Sequence, residues 1–298
     1  MVVFNAFIYC RYQKEIDDDM LLNHVSLEEV FSLYSNLGRL FSCPFYDWLL
    51  RLEELKIEEF WEYTERILST EFHRFSVKGK ITSNNLLTEL MDKLPEKAEL
   101  SIDSDLPLDY SHPKALKFPV TRYKDARWLK MEHLLSIRNV DLIKLESTNF
   151  DCGDVNQFLH YWSDCDKDMI EQINITLKEG TEIDEQEMIK DLIVISEKDS
   201  GSLVFMKARN MENRKLVVGE LEFRENGVTF SASDPSEEDC LYEYSILELL
   251  HQKRDFEENI RKMEKEFRGL RDSEKKKLQL EMEELERKLK VLNRDYVV

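Results

Sequence analysis

Residues 128 to 177 read WLKMEHLLSIRNVDLIKLESTNFDCGDVNQFLHYWSDCDKDMIEQINITL, and the fold is read outward from them. Trp128, Met131, Leu134 and Leu135 stand at helical spacing, and the helix they predict runs to Ile137. Leu142 to Leu145 is then a short apolar run of strand-like residues. Asp151 or Asp154 offers an N-cap, after which Val155, Phe158, Leu159 and Trp162 recur at three- and four-residue steps. Ile173, Ile175 and Leu177 alternate with polar neighbours, as a half-buried strand does. Helix, strand, helix and strand therefore follow one another, which predicts an α/β chain.

The same order recurs upstream. Phe75 and Val77 alternate, Thr82 or Ser83 can cap a helix over Leu86 to Leu94, Pro95 stops it, and Leu100 and Ile102 alternate again. A strand-helix unit of this length, repeated, predicts leucine-rich-repeat-like units stacked on one parallel sheet. Between the copies, Ser104 to Pro119 interleaves three prolines with Leu106, Leu108, Tyr110, Leu116 and Phe118 and reads as a connection, mostly surface loop. Beyond Leu177, Glu179 to Lys190 is acidic and exposed in character, and Leu192 to Ile195 and Leu203 to Met206 are strand candidates. Leu216 to Phe223 and Val228 to Phe230 flank Glu225-Asn226-Gly227, an antiparallel hairpin signal because Asn and Gly tolerate positive φ.

Trp128, Leu134-Leu135, a strand ending in Leu145-Glu146-Ser147, and Asp154, Asn156, Phe158, Leu159 and Trp162 in one helix together resemble the type 2 F-box-associated domain of the nematode F-box family. A fainter likeness runs through Leu86-Leu87, Leu90, Met91, Leu94-Pro95 and Ala98 to Ile102, and Leu216 to Phe230 is similar to the closing strand pair. The likeness covers roughly residues 55 to 232. It implies a target-binding domain, with the sheet surface from about Phe75 to Leu177 as the binding part, in an adaptor related to F-box subunits of cullin-type ubiquitin ligases. Trp128, Leu135, Asp154, Asn156, Phe158, Leu159 and Trp162 are the residues that carry the likeness, and large aromatics at helical spacing are assigned to the core.

Family members carry an F-box ahead of this domain, opening with a Leu-Pro pair. None stands in residues 1 to 70, where the sole echo is Val25 to Val30. That segment is helix-biased. Ser26 and Glu29 form a capping box, Phe45 to Leu55 sets Trp48, Leu49, Leu52 and Leu55 at helical steps, and Ile57 to Leu68 is a third helix candidate. The expected organisation is a helical segment over 1–70, the F-box-associated domain over 71–235, and a coiled coil over 241–298.

In the last segment Ile260, Phe267, Met282, Leu289 and Tyr296 fall at heptad a, and Met263, Leu270, Leu278, Leu285 and Leu292 at d. Leu270 to Leu278 breaks the phase near Gly269. The reading favours one long helix over a helical hairpin, and association of this narrow seam with another chain over folding back.

With 42 basic against 61 acidic residues the net charge is -19, which repels nucleic acid and anionic membranes. The five cysteines have no framework spacing and fit a reducing compartment. The apolar start, Val2 to Tyr9, lacks a basic flank and is too short to span a bilayer, so an intracellular chain, cytoplasmic or nuclear, is expected.

Catalytic motifs are absent: no phosphate-binding glycine loop, no G-x-S-x-G and no H-E-x-x-H. Asp164-Cys165-Asp166-Lys167-Asp168 begins like a calcium loop, but Met169 and Ile175 stand where glycine and glutamate are needed, so a solvated acidic turn is expected. Cys152, His160 and Cys165 lack paired metal-ligand spacing. Asn174-Ile175-Thr176 spells a glycosylation sequon but sits in a candidate strand. No catalytic residue, cofactor or metal is expected. The function read from the sequence is a non-enzymatic protein-protein interaction module, an adaptor with an unknown protein target and ligase subunits as partners. The alternative is an oligomerising coiled-coil scaffold, or a competitor that lacks ligase recruitment.

Overall fold

The computed structural model describes Glu29, Phe31, Ser32 and Asn36, then residues 47–52, 56–81, 84–197, 203–236, 240–266, 272–292 and 296–297. The chain is mixed α/β and divides into two compact units. The first takes the described residues up to Phe150 together with Ile173–Gly180, and the second takes Asp151–Gln172 and the described residues from Thr181 onward.

The first unit is built from strand-helix pairs in chain order: β1 (Asp47–Arg51), α1 (Ile57–Leu68), β2 (Arg74–Lys78), α2 (Asn84–Lys93), β3 (Glu99–Asp103), β4 (Val120–Tyr123), α3 (Met131–Leu135) and β5 (Val140–Leu145). The latter part of β6 (Ile170–Thr176) also belongs to it. The strands lie side by side in the order in which the chain makes them, and β1 to β5 pair in parallel. Asp47 pairs with Arg74, Arg74 with Glu99, Leu100 with Thr121 and Val120 with Leu142, so the chain advances 27, 25, 21 and 22 residues per strand.

Each helix begins and ends for local reasons. In α1, Glu59 accepts the Lys56 backbone N–H at 2.9 Å, two acids occupy the first turn, and Phe60, Tyr63, Thr64 and Ile67 form the buried stripe. α2 ends at Lys93, two residues before Pro95, as expected; its candidate caps Thr82 and Ser83 lie outside the described residues. One face of the sheet is the core: Phe75, Val77, Leu100, Ile143 and Tyr123 are almost completely buried, and Tyr123 meets the Trp128 ring edge-on at 5.2 Å. Trp128 also takes Tyr110 at 5.0 Å, so the 104–119 connection sends Leu106, Tyr110, Leu116 and Phe118 into the core while Leu108 and most of its polar residues stay at the surface.

Two expectations in this unit are corrected. Phe45 to Leu55 is not a helix: Asp47–Arg51 is a strand, in register with β2. Trp48 and Leu50 are buried while Leu49 and Arg51 point to the other face, so period two wins over the helical spacing of Trp48, Leu49 and Leu52. Residues 1–70 are accordingly not wholly helical. The helix expected over Ile57 to Leu68 is α1, and Val25 to Glu28 lie outside the described residues.

The second unit contains α4 (Cys152–Asp164), α5 (Glu185–Met188), β7 (Val194–Glu197), β8 (Leu203–Lys207), β9 (Val218–Arg224), β10 (Gly227–Ser233), α6 (Leu241–Glu266), α7 (Asp272–Leu292) and β11 (Tyr296–Val297). Its strands form an antiparallel ladder ordered β10-β9-β8-β7-β11. The expected hairpin is there, with Arg224 paired to Gly227 across Glu225-Asn226, but neither Asn226 nor Gly227 takes a positive φ. Register and burial fix this turn, not left-handed residues. At Gly219 the sheet has room only for hydrogen: a Cβ would stand 2.7 Å from Phe230, 2.9 Å from Trp162 and 3.0 Å from Met206.

The C-terminal segment also departs from its reading. In place of one long helix there are α6 and α7, which pack against one another. On a continuous helix even their nearest described residues would stand about 9 Å apart along the axis. The chain then returns to its own sheet, Tyr296 pairing with Glu197 and Val297 with Ser196. Ile246 and Leu247 of α6 are fully buried against Ile195 and Phe205, so the start of the helix folds back onto the unit. None of the helices among the described residues is long and apolar enough to cross a membrane.

Candidate functional site

Strand alternation leaves the second face of the first unit's sheet for polar side chains, and the register sorts them into three rows. In the first row, Arg74 reaches both neighbours, donating from Nη1 to Asp47 at 2.9 Å and from Nε to Glu99 at 2.7 Å. His73 Nδ1 stands 3.4 Å from the other oxygen of Glu99. Arg74 is thereby spent on the row's own acids.

The third row runs Arg51, Lys78 and Asp103, with Lys124 and Glu146 continuing it just past β4 and β5. Asp103 lies between Lys124 at 2.7 Å and Lys78 at 3.4 Å. The hydrogen bond from Lys124 holds its carboxyl below the usual carboxylate range, a poor state for a proton donor. Beside this row opens a cleft of about 580 Å³ at the carboxyl ends of β2 and β3, lined by Lys78, Lys80, Asp103, Ser104, Asp105 and Lys124 among others. Gly79, at φ 108°, turns the chain into it, and the Ser104 hydroxyl accepts the Ile81 N–H at 3.1 Å.

The middle row differs from both. Leu49, Ser76, Ser101, Arg122 and Lys144 are cross-strand neighbours on β1 to β5, all partly exposed. No acid stands among them. Asp47 and Glu99, the acids whose charge Arg122 feels, are already engaged by Arg74. Among the described residues Arg122 makes no ion pair or hydrogen bond, and its Nε is shut off from water without an acceptor. Burial, with Arg74 repelling it, pushes the guanidinium below its ordinary pKa. On the same face of β6, Asn174 Oδ1 is buried without a donor.

The residues that carry the F-box-associated likeness have structural work. Asp151 and Asp154 form a reciprocal capping box at 3.0 Å each way. Asn156 Nδ2 donates to the Met188 and Lys190 carbonyls at 2.9 and 3.0 Å, fastening α4 to the end of α5, and His160 Nε2 meets the same Lys190 oxygen at 2.9 Å. Phe158 and Trp162 pack edge-on against Phe230 at 5.8 and 4.9 Å. Leu159 is fully buried, as are Trp128 and Trp162, whose indole N–H groups have no acceptor among the described residues. Leu135 is partly exposed at the end of α3, and Leu134 is its buried neighbour.

The seam residues are not brought together as a described site. Phe267 and Leu270 lie outside the described residues. Ile260 and Met263 belong by backbone to α6, and Leu278, Met282, Leu285, Leu289 and Leu292 to α7, but their side chains lie outside the described residues too.

In the acidic turn Asp164, Asp166 and Lys167 are exposed, as expected, while Asp168 at its end is a brace. Asp168 accepts the Lys215 and Leu216 backbone N–H groups at about 3.0 Å and faces Arg214, which donates to the Trp162 and Leu216 carbonyls at 2.5 and 2.8 Å. Cys152, His160 and Cys165 form no ligand cluster; among the described residues no group of His, Cys, Asp or Glu is arranged to hold a metal ion. Burial raises the Cys152 thiol, which opposes thiolate formation. Sequence reading missed the middle row because β4 was missed: Pro119 hid a four-residue strand whose one outward guanidinium is Arg122. The available signal was slight: Tyr123 stands between Arg122 and Lys124, but Val120 outward and Thr121 inward run against an apolar-in alternation. In comparisons with protein-family models, curated proteins and solved structures, none matches this chain.

Proposed function

We propose that this chain is a non-enzymatic protein-protein interaction module of the F-box-associated kind, an adaptor that selects a protein target for a cullin-type ubiquitin ligase. The strand-helix pairs, parallel and in chain order at steps of 21 to 27 residues, support leucine-rich-repeat-like units. Such a sheet buries one face under its helices and offers the other along its whole length. The observation that carries the reading is that this face holds side chains with unspent hydrogen-bonding capacity, Arg122 foremost. Binding another protein satisfies those groups; acid-base chemistry does not use them.

The test is co-purification of the full chain from a lysate of its source. Ligase linker and cullin subunits at stoichiometric amounts are the expected result. Their absence, with the chain folded, removes the adaptor reading and leaves a competitor without ligase recruitment. An oligomerising scaffold is the second reading, favoured by Leu280 of α7, an apolar side chain left 63% exposed. Under it, deletion of residues 272–298 abolishes all partner capture, whereas the adaptor reading keeps target capture.

A further inference from the structure

We propose that the middle row of the parallel sheet, Ser76, Ser101, Arg122 and Lys144, is the docking site for a carboxylate-bearing segment of the partner protein, with an Asp or Glu side chain held between Arg122 and Lys144. The proposal deepens the interaction-module reading and rests on it.

Charge comes first. The three rows carry six cationic side chains, Arg51, Arg74, Lys78, Arg122, Lys124 and Lys144, against four acids, Asp47, Glu99, Asp103 and Glu146. This positive balance stands in a chain whose net charge is -19. Within the face the pairing is uneven. Arg74 holds Asp47 and Glu99, and Lys78 and Lys124 share Asp103. Arg122 and Lys144 hold nothing among the described residues, although Asp47 and Glu99 are near enough for Arg122 to feel their charge. A half-buried guanidinium has given up part of its hydration, and an incoming carboxylate returns it as two parallel charge-assisted hydrogen bonds.

Geometry supports a single acid side chain at this point. Arg122 and Lys144 are direct register partners on adjacent parallel strands, and such strands lie about 4.8 Å apart. One carboxylate can therefore be shared between the two heads. Ser76 and Ser101 continue the row on β2 and β3, where no bulky side chain stands in the way of a segment lying across the strands. Their hydroxyls have no hydrogen bond among the described residues and can donate to or accept from its backbone.

The flanking rows argue for a carboxylate over a phosphate. Glu99 and Asp103 stand on β3, the strand next to Arg122, and their repulsion grows with the charge of the guest. A dianion is penalised more than a single carboxylate.

The experiment uses the full chain and a fluorescein-labelled Glu-rich peptide in a Ser/Gly background, read by anisotropy at low and at physiological salt. Matched peptides carry Gln or phosphoserine in place of Glu. The expected result is binding of the Glu peptide over the Gln peptide. Arg122→Ser with Lys144→Ser weakens it by about tenfold or more. Lys144→Gln alone, at a partly exposed position that does not endanger folding, weakens it by a smaller factor. The exposed Lys275, Lys276 and Lys277 of α7, changed together to Gln, leave it unchanged.

Equal affinity in the Arg122 and Lys144 variants overturns the proposal, as does binding that follows the α7 lysines or is confined to the phosphoserine peptide. So does self-association of the chain that the double variant abolishes, which would make a second copy the occupant. Failure of the adaptor reading is separable: ligase subunits absent from the co-purification, with Arg122-dependent peptide binding intact, removes the ligase and keeps the docking site.

Discussion

Arg214 and Arg122 show what the surroundings make of one side chain. Arg214 is wholly buried, lies 4.6 Å over the Trp162 ring, and spends its guanidinium on three backbone carbonyls and the nearby Asp168. Arg122 is half-buried and spends nothing. Neither role was legible in the sequence, because periodicity records apolar positions and is silent on where a cation on the polar side of a strand finds its partners. His251 was equally silent, one of six scattered histidines. Burial first, then Lys207 and Arg209, push it down to about 4, against the opposite pull of Asp255 and Glu248. Its ring is therefore neutral in the fold while the unfolded chain protonates near pH 6.5. Below that point the unfolded state binds a proton that the native state refuses, so the stability present above pH 6.5 is lost as pH falls toward 4. Between pH 7.5 and 4.5 the loss is about 1–2 kcal/mol once solvent screening of this partly exposed ring is allowed for. The expected outcome is that His251→Phe removes this part of the pH dependence, measured as the difference between the two proteins' urea midpoints at the two pH values. Parallel curves for both proteins would show that His251 titrates normally.

Helix α4 and strand β1 mark the two ends of legibility at the scale of the element. α4 was readable because its cap, its apolar stripe and its length agree: Asp151 and Asp154 close the N-terminus, and Val155, Phe158, Leu159 and Trp162 meet one core. β1 was misread because Trp48, Leu49 and Leu52 satisfy a helical period as well as Trp48 and Leu50 satisfy a strand, and only pairing with β2 decides between them. The same limit hid the turn geometry at Glu225-Asn226, where the hairpin was foreseen but the conformation was not. The two readings of β1 differ in one place that can be measured. A helix would bury Leu49 and free Leu50; the strand buries Leu50 beside Trp48 and turns Leu49 to the open face. Leu50→Ala is expected to cost about 2–4 kcal/mol and Leu49→Ser less than about 1 kcal/mol, read from denaturant midpoints. The reverse order would restore the helix.

For the whole molecule, the pattern of the chain foretold strand-helix repetition and the closing antiparallel strands, because both rest on local periods. It did not foretell that the C-terminal segment folds back, because a heptad stripe looks alike whether it meets another chain or its own domain. The decisive contact is at the start of α6, where Ile246 and Leu247 close a core with Ile195 and Phe205 and where Glu248 pairs with the buried Lys207 at 2.5 Å. Residues 241–298 are therefore not a detachable tail. A chain cut after residue 240 opens the Ile195 and Phe205 cluster, forfeiting about 1.5–3 kcal/mol for each of the two α6 side chains it loses, and leaves Lys207 a buried cation without its acid. A chain cut after residue 258 keeps Ile246, Leu247 and Glu248 and gives up α7 and β11 instead. The expected outcome is a strongly lowered melting temperature and aggregation for the shorter chain, with the longer one folded and melting cooperatively. Equal melting temperatures for the two would mean that α6 lends the domain nothing and would return the whole segment to association between chains.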